Sequence, residues 1–179
     1  ALGMIETKGL IGAIEAADAM VKTSEIDVIE AQTVCPGKYI VIITGVLSAV
    51  DAAVNTARVQ HGEHLISSFV LGNPHESIFP AIYGTATVEN PSALGILETY
   101  SAASIIVAAD MAAKTSMVDL IELRIAKGMC GKSYMTLTGE VAAVSAAVEA
   151  AERAVSENGM FLDSEVIANP DEKMWNTVI

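Results

Sequence analysis

At 179 residues the chain has room for one ordinary domain or two small ones. Its apolar content, 52% with only 4% aromatic, is mostly Ala, Val, Ile and Leu, which build cores by close backbone approach rather than around large rings; the surplus over what two small cores can hold points to burial between subunits. A formal net charge of −12 and a pI near 4.5 set the summed field against phosphate backbones and anionic membrane surfaces, which argues against nucleic-acid and membrane partners.

The first strand ends near Glu6, and an Ala-rich helix follows whose apolar positions Leu10, Ile14, Ala17 and Val21 recur at helical spacing. Two strands, 26–34 and 39–44, then flank Cys35-Pro36-Gly37-Lys38. Pro36 fixes φ and removes a backbone donor, while Gly37 admits a positive φ, so Cys35 is presented at the tip of a tight connection. From these residues alone Cys35 reads either as a small buried hydrophobe or as a thiolate ligand or redox group. A second helix carries the stripe Leu47, Val50, Val54, Ala57, and a fourth strand, 65–71, is closed by Asn73-Pro74. Pro80 and the run 85–92, ending in Asn90-Pro91, read as a linker.

The pattern then begins again. Ala1-Leu2-Gly3-Met4-Ile5-Glu6-Thr7 returns as Ala93-Leu94-Gly95-Ile96-Leu97-Glu98-Thr99 at an offset of 92, and Lys22-Thr23-Ser24 returns as Lys114-Thr115-Ser116. Beyond the Cys35 loop the offset becomes 94: Gly45 matches Gly139, and the second helical stripe repeats as Val141, Val144, Val148, Ala151. The chain is two copies of one domain, the second with two extra residues in that loop. The last strand of the second copy reads as 165–168, before Asn169-Pro170. The order β-α-β-β-α-β, twice, predicts an α+β fold of two tandem ferredoxin-like domains, each an antiparallel four-stranded sheet with helices on one face. The expected division is a first domain at 1–84, a linker at 85–92 and a second domain at 93–179.

Other signals carry less. His61 and His64, three apart, suit two metal ligands on one helical face but lack a third, so a polar helix end is the better reading. His75 reads as a turn residue, Glu6 and Glu98 as structural groups at strand ends, and Trp175 as packing for the C-terminal segment. Gly128, Gly131 and Lys132 lack the spacing of a phosphate loop. No nucleophile stands beside a recognisable base, which argues against an enzyme. The uncharged stretch 39–50 is shorter than the roughly 20 residues of a bilayer span, Glu6 and Lys8 interrupt any leader, and two cysteines 95 positions apart give no disulfide framework, so the expectation is a soluble cytoplasmic protein.

The opening run from Ala1 to Gly9, followed by Ala16-Ala17-Asp18-Ala19-Met20-Val21-Lys22, resembles that of bacterial microcompartment (BMC) shell proteins, and the tandem copy resembles the class that forms trimers of double domains with pseudo-sixfold symmetry. Cys35-Pro36-Gly37-Lys38 is similar to the pore loop of a propanediol-utilisation subtype that carries an iron–sulfur cluster. That resemblance implies a pore lined by Val34, Cys35, Pro36 and Gly37, with Met129, Cys130 and Gly131 from the second copy. It further implies one [4Fe–4S] cluster per homotrimer, with Cys35 as metal ligand, one thiolate from each chain, because a cluster usually takes closely spaced cysteines and this chain has no such run. Cys130 falls opposite Pro36 and departs from the subtype; it reads as a small residue in a Gly-rich loop. Lys38 and Lys132 near the rim would offset the cluster's charge. Lys22 and Lys114 match lysines that pack tile edges, whereas Asn73-Pro74-His75 and Asn169-Pro170-Asp171 lack the Arg of the usual edge motif.

The expected function is therefore a non-enzymatic shell tile with electron transfer or cluster exchange at its pore, its partners being itself, other shell proteins and encapsulated redox enzymes. The alternatives are a cluster-free metabolite conduit and a tandem ferredoxin-like module binding a small effector.

Overall fold

In a computed structural model, which describes residues 1–178, the chain forms two compact units, one of residues 1–74 and one beginning at His75. The first contains β1 (Leu2–Thr7), α1 (Leu10–Thr23), β2 (Asp27–Val34), β3 (Lys38–Thr44), α2 (Leu47–His61) and β4 (Leu65–Leu71). Its sheet has the order β2-β3-β1-β4, every pair antiparallel, which is the ferredoxin-like arrangement expected. The helix-facing core joins Ile5, Val41 and Ile43 of the sheet to Met20, Val50 and Val54.

The second unit repeats this with α3 (Ile78–Tyr83) in front and α6 (Glu172–Val178) behind. Between them run β5 (Ala93–Thr99), α4 (Ala102–Thr115), β6 (Asp119–Arg124), β7 (Ser133–Gly139), α5 (Val141–Ser156) and β8 (Phe161–Ile167), with the sheet order β6-β7-β5-β8. The repeat extends to irregularities: both sheets shift register at Glu6/Thr7 and Glu98/Thr99, and again at Val28/Glu30 and Leu120/Glu122. It extends to packing as well. A Cβ on Gly3 would stand 2.7 Å from Val50 and 2.9 Å from Val54, and one on Gly95 2.8 Å from Val144 and 3.0 Å from Val148. Only glycine lets each second helix lie that close on its central strand.

Three expectations need correction. The stripe Leu10, Ile14, Ala17, Val21 is not the buried face of α1; Gly12, Ala13, Ala16 and Met20 are, and Leu10, Ile14 and Val21 face outward. Small residues bring the helix onto the sheet and leave the branched ones for solvent or a partner. β8 starts at Phe161 rather than 165, since an edge strand tolerates the polar Asp163 and Ser164. Pro80 lies inside α3 rather than in a linker, and the linker proper, 85–92, has no regular structure. The compact units meet after Pro74, with α3 packed on β6 and α4. Among the described residues no helix is long and apolar enough to cross a membrane.

Candidate functional site

The ladder between β2 and β3 runs to its last available pair, Val34 with Lys38, leaving only Cys35, Pro36 and Gly37 to turn the chain. Gly37 has φ 82°, and nothing stands within 4 Å of where its Cβ would be, so glycine is needed here for conformation and not for room. The Cys35–Pro36 peptide is cis. Val34 is buried within the unit, Cys35 is half-exposed, and Pro36 and Gly37 are exposed, so the thiol is the first reactive group at the tip.

The root of this hairpin is held by charge. Lys38 Nζ donates to Glu6 Oε1 at 2.9 Å, and Ser67 Oγ donates to Glu6 Oε2 at 2.9 Å, on a carboxylate almost wholly withdrawn from solvent. Burying Glu6 would be costly without both donors. Lys38 is therefore committed to Glu6 and is not a spare positive charge for the rim. The structural role expected for Glu6 is the one it has.

In the second unit the ladder ends earlier, at Arg124 with Tyr134, and residues 125–132 leave the sheet. Ile125 and Ala126 turn inward and are buried, and the Ala126 amide donates to Ser133 Oγ at 2.9 Å in place of a ladder bond. Four residues here have positive φ: Ala126 at 52°, Gly128 at 72°, Cys130 at 53° and Gly131 at 88°. Lys132 N–H donates to Met129 O at 3.1 Å to close the turn. Cys130 is exposed, with Met129 and Gly131 half-exposed beside it.

Behind this loop lies a cluster that the sequence reading did not single out. Arg124 Nε donates to Glu122 Oε1 at 2.9 Å, Tyr134 Oη donates to Glu122 Oε2 at 2.7 Å, and the guanidinium sits 5.9 Å from the Tyr134 ring centroid. The hydrogen bond to Glu122 and its charge hold Arg124 above its usual value, and burial followed by its own hydrogen bond to Glu122 pushes Tyr134 above the usual tyrosine value. The available signal was the spacing 122 and 124, which puts two charged side chains on one face of a strand.

The remaining candidates stay apart. Lys22 pairs with Asp18 on the exposed surface, while Lys114 pairs with Asp110 at 2.6 Å, where Asp110 is buried and also accepts from the His75 amide at 2.7 Å. His61 ends α2 and His64 lies beyond it, so the two share no helical face. Trp175 is half-buried in α6. Among the described residues no three His, Cys, Asp or Glu side chains gather as a metal site, so each loop brings a single thiol.

The BMC domain model matches residues 1–74 and 93–170, one match for each sheet. The bacterial microcompartment shell protein PduT of Citrobacter freundii is 38% identical over all 179 residues, covering 100% of this chain and 97% of that one. The carboxysome shell protein CsoS1 of Prochlorococcus marinus is 42% identical over 85 residues, 46% of this chain and 82% of its own length. A crystal structure of a microcompartment protein from Desulfitobacterium hafniense superposes with TM-score 0.93 at 44% identity, covering 98% of this chain and 97% of that one. The fused permuted hexameric shell protein MSM0275, at TM-score 0.64 and 20% identity over 87% and 81% of the two chains, shares the fold alone. The chain belongs to the BMC-domain family of bacterial microcompartment shell proteins, with two such domains in tandem.

Proposed function

We propose that three copies of this chain close into a flat, pseudohexameric tile that packs edge to edge in a microcompartment wall in the cytoplasm, and that Cys35 from each copy holds a [4Fe–4S] cluster at the central pore. The observation that carries this reading is the half-exposed thiol at the tip of a hairpin whose ladder pairs right up to it. End-to-end similarity to PduT supports the tile. The donor set fits a group shared between copies: one thiolate per chain cannot hold a cluster, whereas a threefold axis brings three to one point, leaving the fourth iron site to solvent or another ligand. When bound, the cluster supplies one-electron chemistry at the wall, either for electron transfer to redox partners inside or for exchange of the cluster itself.

This chain's own contribution is position and charge. The Val34–Lys38 pair and the Glu6–Lys38–Ser67 contacts fix the hairpin root, so the thiol is carried on a rigid stem rather than a mobile loop. Lys22 and Lys114 are assigned to tile edges, facing neighbouring shell proteins. No acid–base pair is assigned to catalysis, and the tile is read as structural.

The test is iron and acid-labile sulfide content, with an electron paramagnetic resonance spectrum after reduction, on protein purified without oxygen. Wild type and Cys130→Ser are expected to carry about four irons per three chains and Cys35→Ser none. A wild-type trimer that stays free of iron after anaerobic reconstitution overturns the cluster and leaves a conduit.

A further inference from the structure

The two sheets share one register, and each ends on a free strand, β4 in the first and β8 in the second. In an antiparallel ladder alternate residues turn their N–H and C=O away from the neighbouring strand, so on a free edge those groups need other partners. On β8 the amides have them. Ser164 N–H donates to Asp163 Oδ1 at 2.9 Å and Val166 N–H to Glu165 Oε1 at 3.0 Å, so each outward amide is closed by the side chain that precedes it. Ser164 stands opposite Leu97 and Val166 opposite Gly95; in the first sheet Ser68 stands opposite Ile5 and Val70 opposite Gly3. Ser68 and Val70 are therefore the outward residues of β4, and the donation from Arg58 Nη2 to Ser68 O at 3.3 Å agrees with this. They are preceded by Ser67 and Phe69, where β8 has Asp163 and Glu165. Among the described residues nothing accepts from the Ser68 or Val70 amide.

Charge reverses between the same two edges. Arg58 matches Glu152 at the offset of 94. Arg58 Nε donates to Ser68 Oγ at 2.7 Å, whereas in the second unit Ser164 Oγ donates to Glu152 Oε2 at 3.3 Å. β8 thus carries Asp163 and Glu165 with Glu152 beside it, while β4 carries no charge from Leu65 to Leu71 and has an exposed guanidinium lying on it. Edge strands are ordinarily guarded against further pairing by charge, and β8 is guarded in that way. β4 is not. On its other face, away from Ser68, β4 presents the half-buried Phe69 and Leu71.

We propose that the free edge of β4 is a docking site for an extended, acidic segment of a partner protein, which adds to the first sheet as a fifth strand. The segment lies antiparallel, as every pair in this sheet does, and exchanges main-chain bonds with Ser68 and Val70. Its residues opposite those two send their side chains to the Arg58 side, where a carboxylate gains a charge-assisted bond. The alternate residues lie beside Phe69 and Leu71, where apolar side chains fit. Ser68 O keeps its bond to Arg58, since a carbonyl oxygen accepts two. The β8 edge repels the same segment by charge and offers it no open amide at Ser164 or Val166. Nothing at the pore enters this contact.

The probe is a blocked, fluorophore-labelled peptide, Thr-Glu-Val-Glu-Val-Glu-Thr, titrated with the full-length protein and followed by anisotropy. Saturation at one peptide per chain is expected, with slowed hydrogen exchange at the Ser68 and Val70 amides. Methylating the amide nitrogens of the Glu residues is expected to abolish binding, and methylating those of the Val residues to change it by less than about threefold, because only the first set faces β4. Arg58→Glu is expected to weaken binding by about tenfold or more and to reverse the preference, so that Thr-Lys-Val-Lys-Val-Lys-Thr binds in its place. Val70→Pro deletes an outward amide at an edge position that tolerates proline and is expected to weaken binding as much. Should that variant lose its fold, the two methylated peptides on the wild type still decide. Equal effects of the two methylation patterns, unchanged binding to Arg58→Glu, two peptides per chain, or no binding to the wild type would each overturn the fifth strand.

Discussion

The two hairpin loops begin from the same fold and the same flanking register, and they differ in what the chain does with two residues. In the first unit the ladder runs to Val34 and Lys38 and only Cys35, Pro36 and Gly37 turn, with one positive φ. In the second the pairing stops at Arg124 and Tyr134, and 125–132 form an arch with four positive φ values, two of them at Ala126 and Cys130, which have side chains. The contrast teaches where precision comes from. A thiol on a stem that pairs to its last residue has few ways to move, whereas a thiol in an arch tied by single hydrogen bonds has many. Of the two cysteines, Cys35 is the one that follows directly on a paired strand.

The largest expected effect erases this difference. Inserting Gly-Gly between Val34 and Cys35 supplies the two residues by which the first copy is shorter here; iron bound per trimer is expected to fall at least tenfold in the anaerobic assay, with the trimer mass unchanged. Next comes the root of the stem. Lys38→Ala leaves the Glu6 carboxylate buried with Ser67 as its remaining partner and is expected to cost about 3 kcal/mol in urea unfolding. Lys132, its repeat equivalent, holds no carboxylate among the described residues, and Lys132→Ala is expected to stay within about 0.5 kcal/mol.

Smaller effects probe the backbone. Gly37→Ala forces a side chain to φ 82° and is expected to destabilise by about 1 kcal/mol, while Cys130→Gly, at φ 53°, is expected to stabilise by about the same and leave the iron content alone. The smallest is a pH effect. Tyr134 is held above the usual value of 10 in the folded state, so its contribution is full below that pH and is lost as pH rises through the folded value. Melting temperature measured from pH 9 to 11.5 is expected to fall less steeply for Tyr134→Phe than for the wild type.

Much of this was legible in the residues. The offset of 92 followed by 94 located both the duplication and the insertion, and Leu65–Leu71 was read to the residue because apolar strands bounded by Asn-Pro leave little choice. The face of α1 was misread because periodicity ranks residues by bulk, while this helix approaches its sheet through Gly12, Ala13 and Ala16. Gly12 also makes room for His64 in the turn before β4: a Cβ on Gly12 would stand 2.4 Å from its ring. The commitment of Lys38 to Glu6 joins positions 32 residues apart, and no local pattern announces it. In the Glu122, Arg124 and Tyr134 cluster the 122/124 spacing was local, but Tyr134 joins it only once β6 and β7 are paired.

The inequality of the two loops also has an arithmetic side. A ring of identical single domains must display any loop feature once per domain, so a thiol placed there appears at every position or nowhere. Doubling the domain within one polypeptide breaks that degeneracy: a residue written into one copy appears at alternate positions, and the other copy is free to diverge, as 125–132 has. In the tile proposed above, duplication sets the valency of a shared site by halving it, without altering the outline that neighbouring tiles must fit.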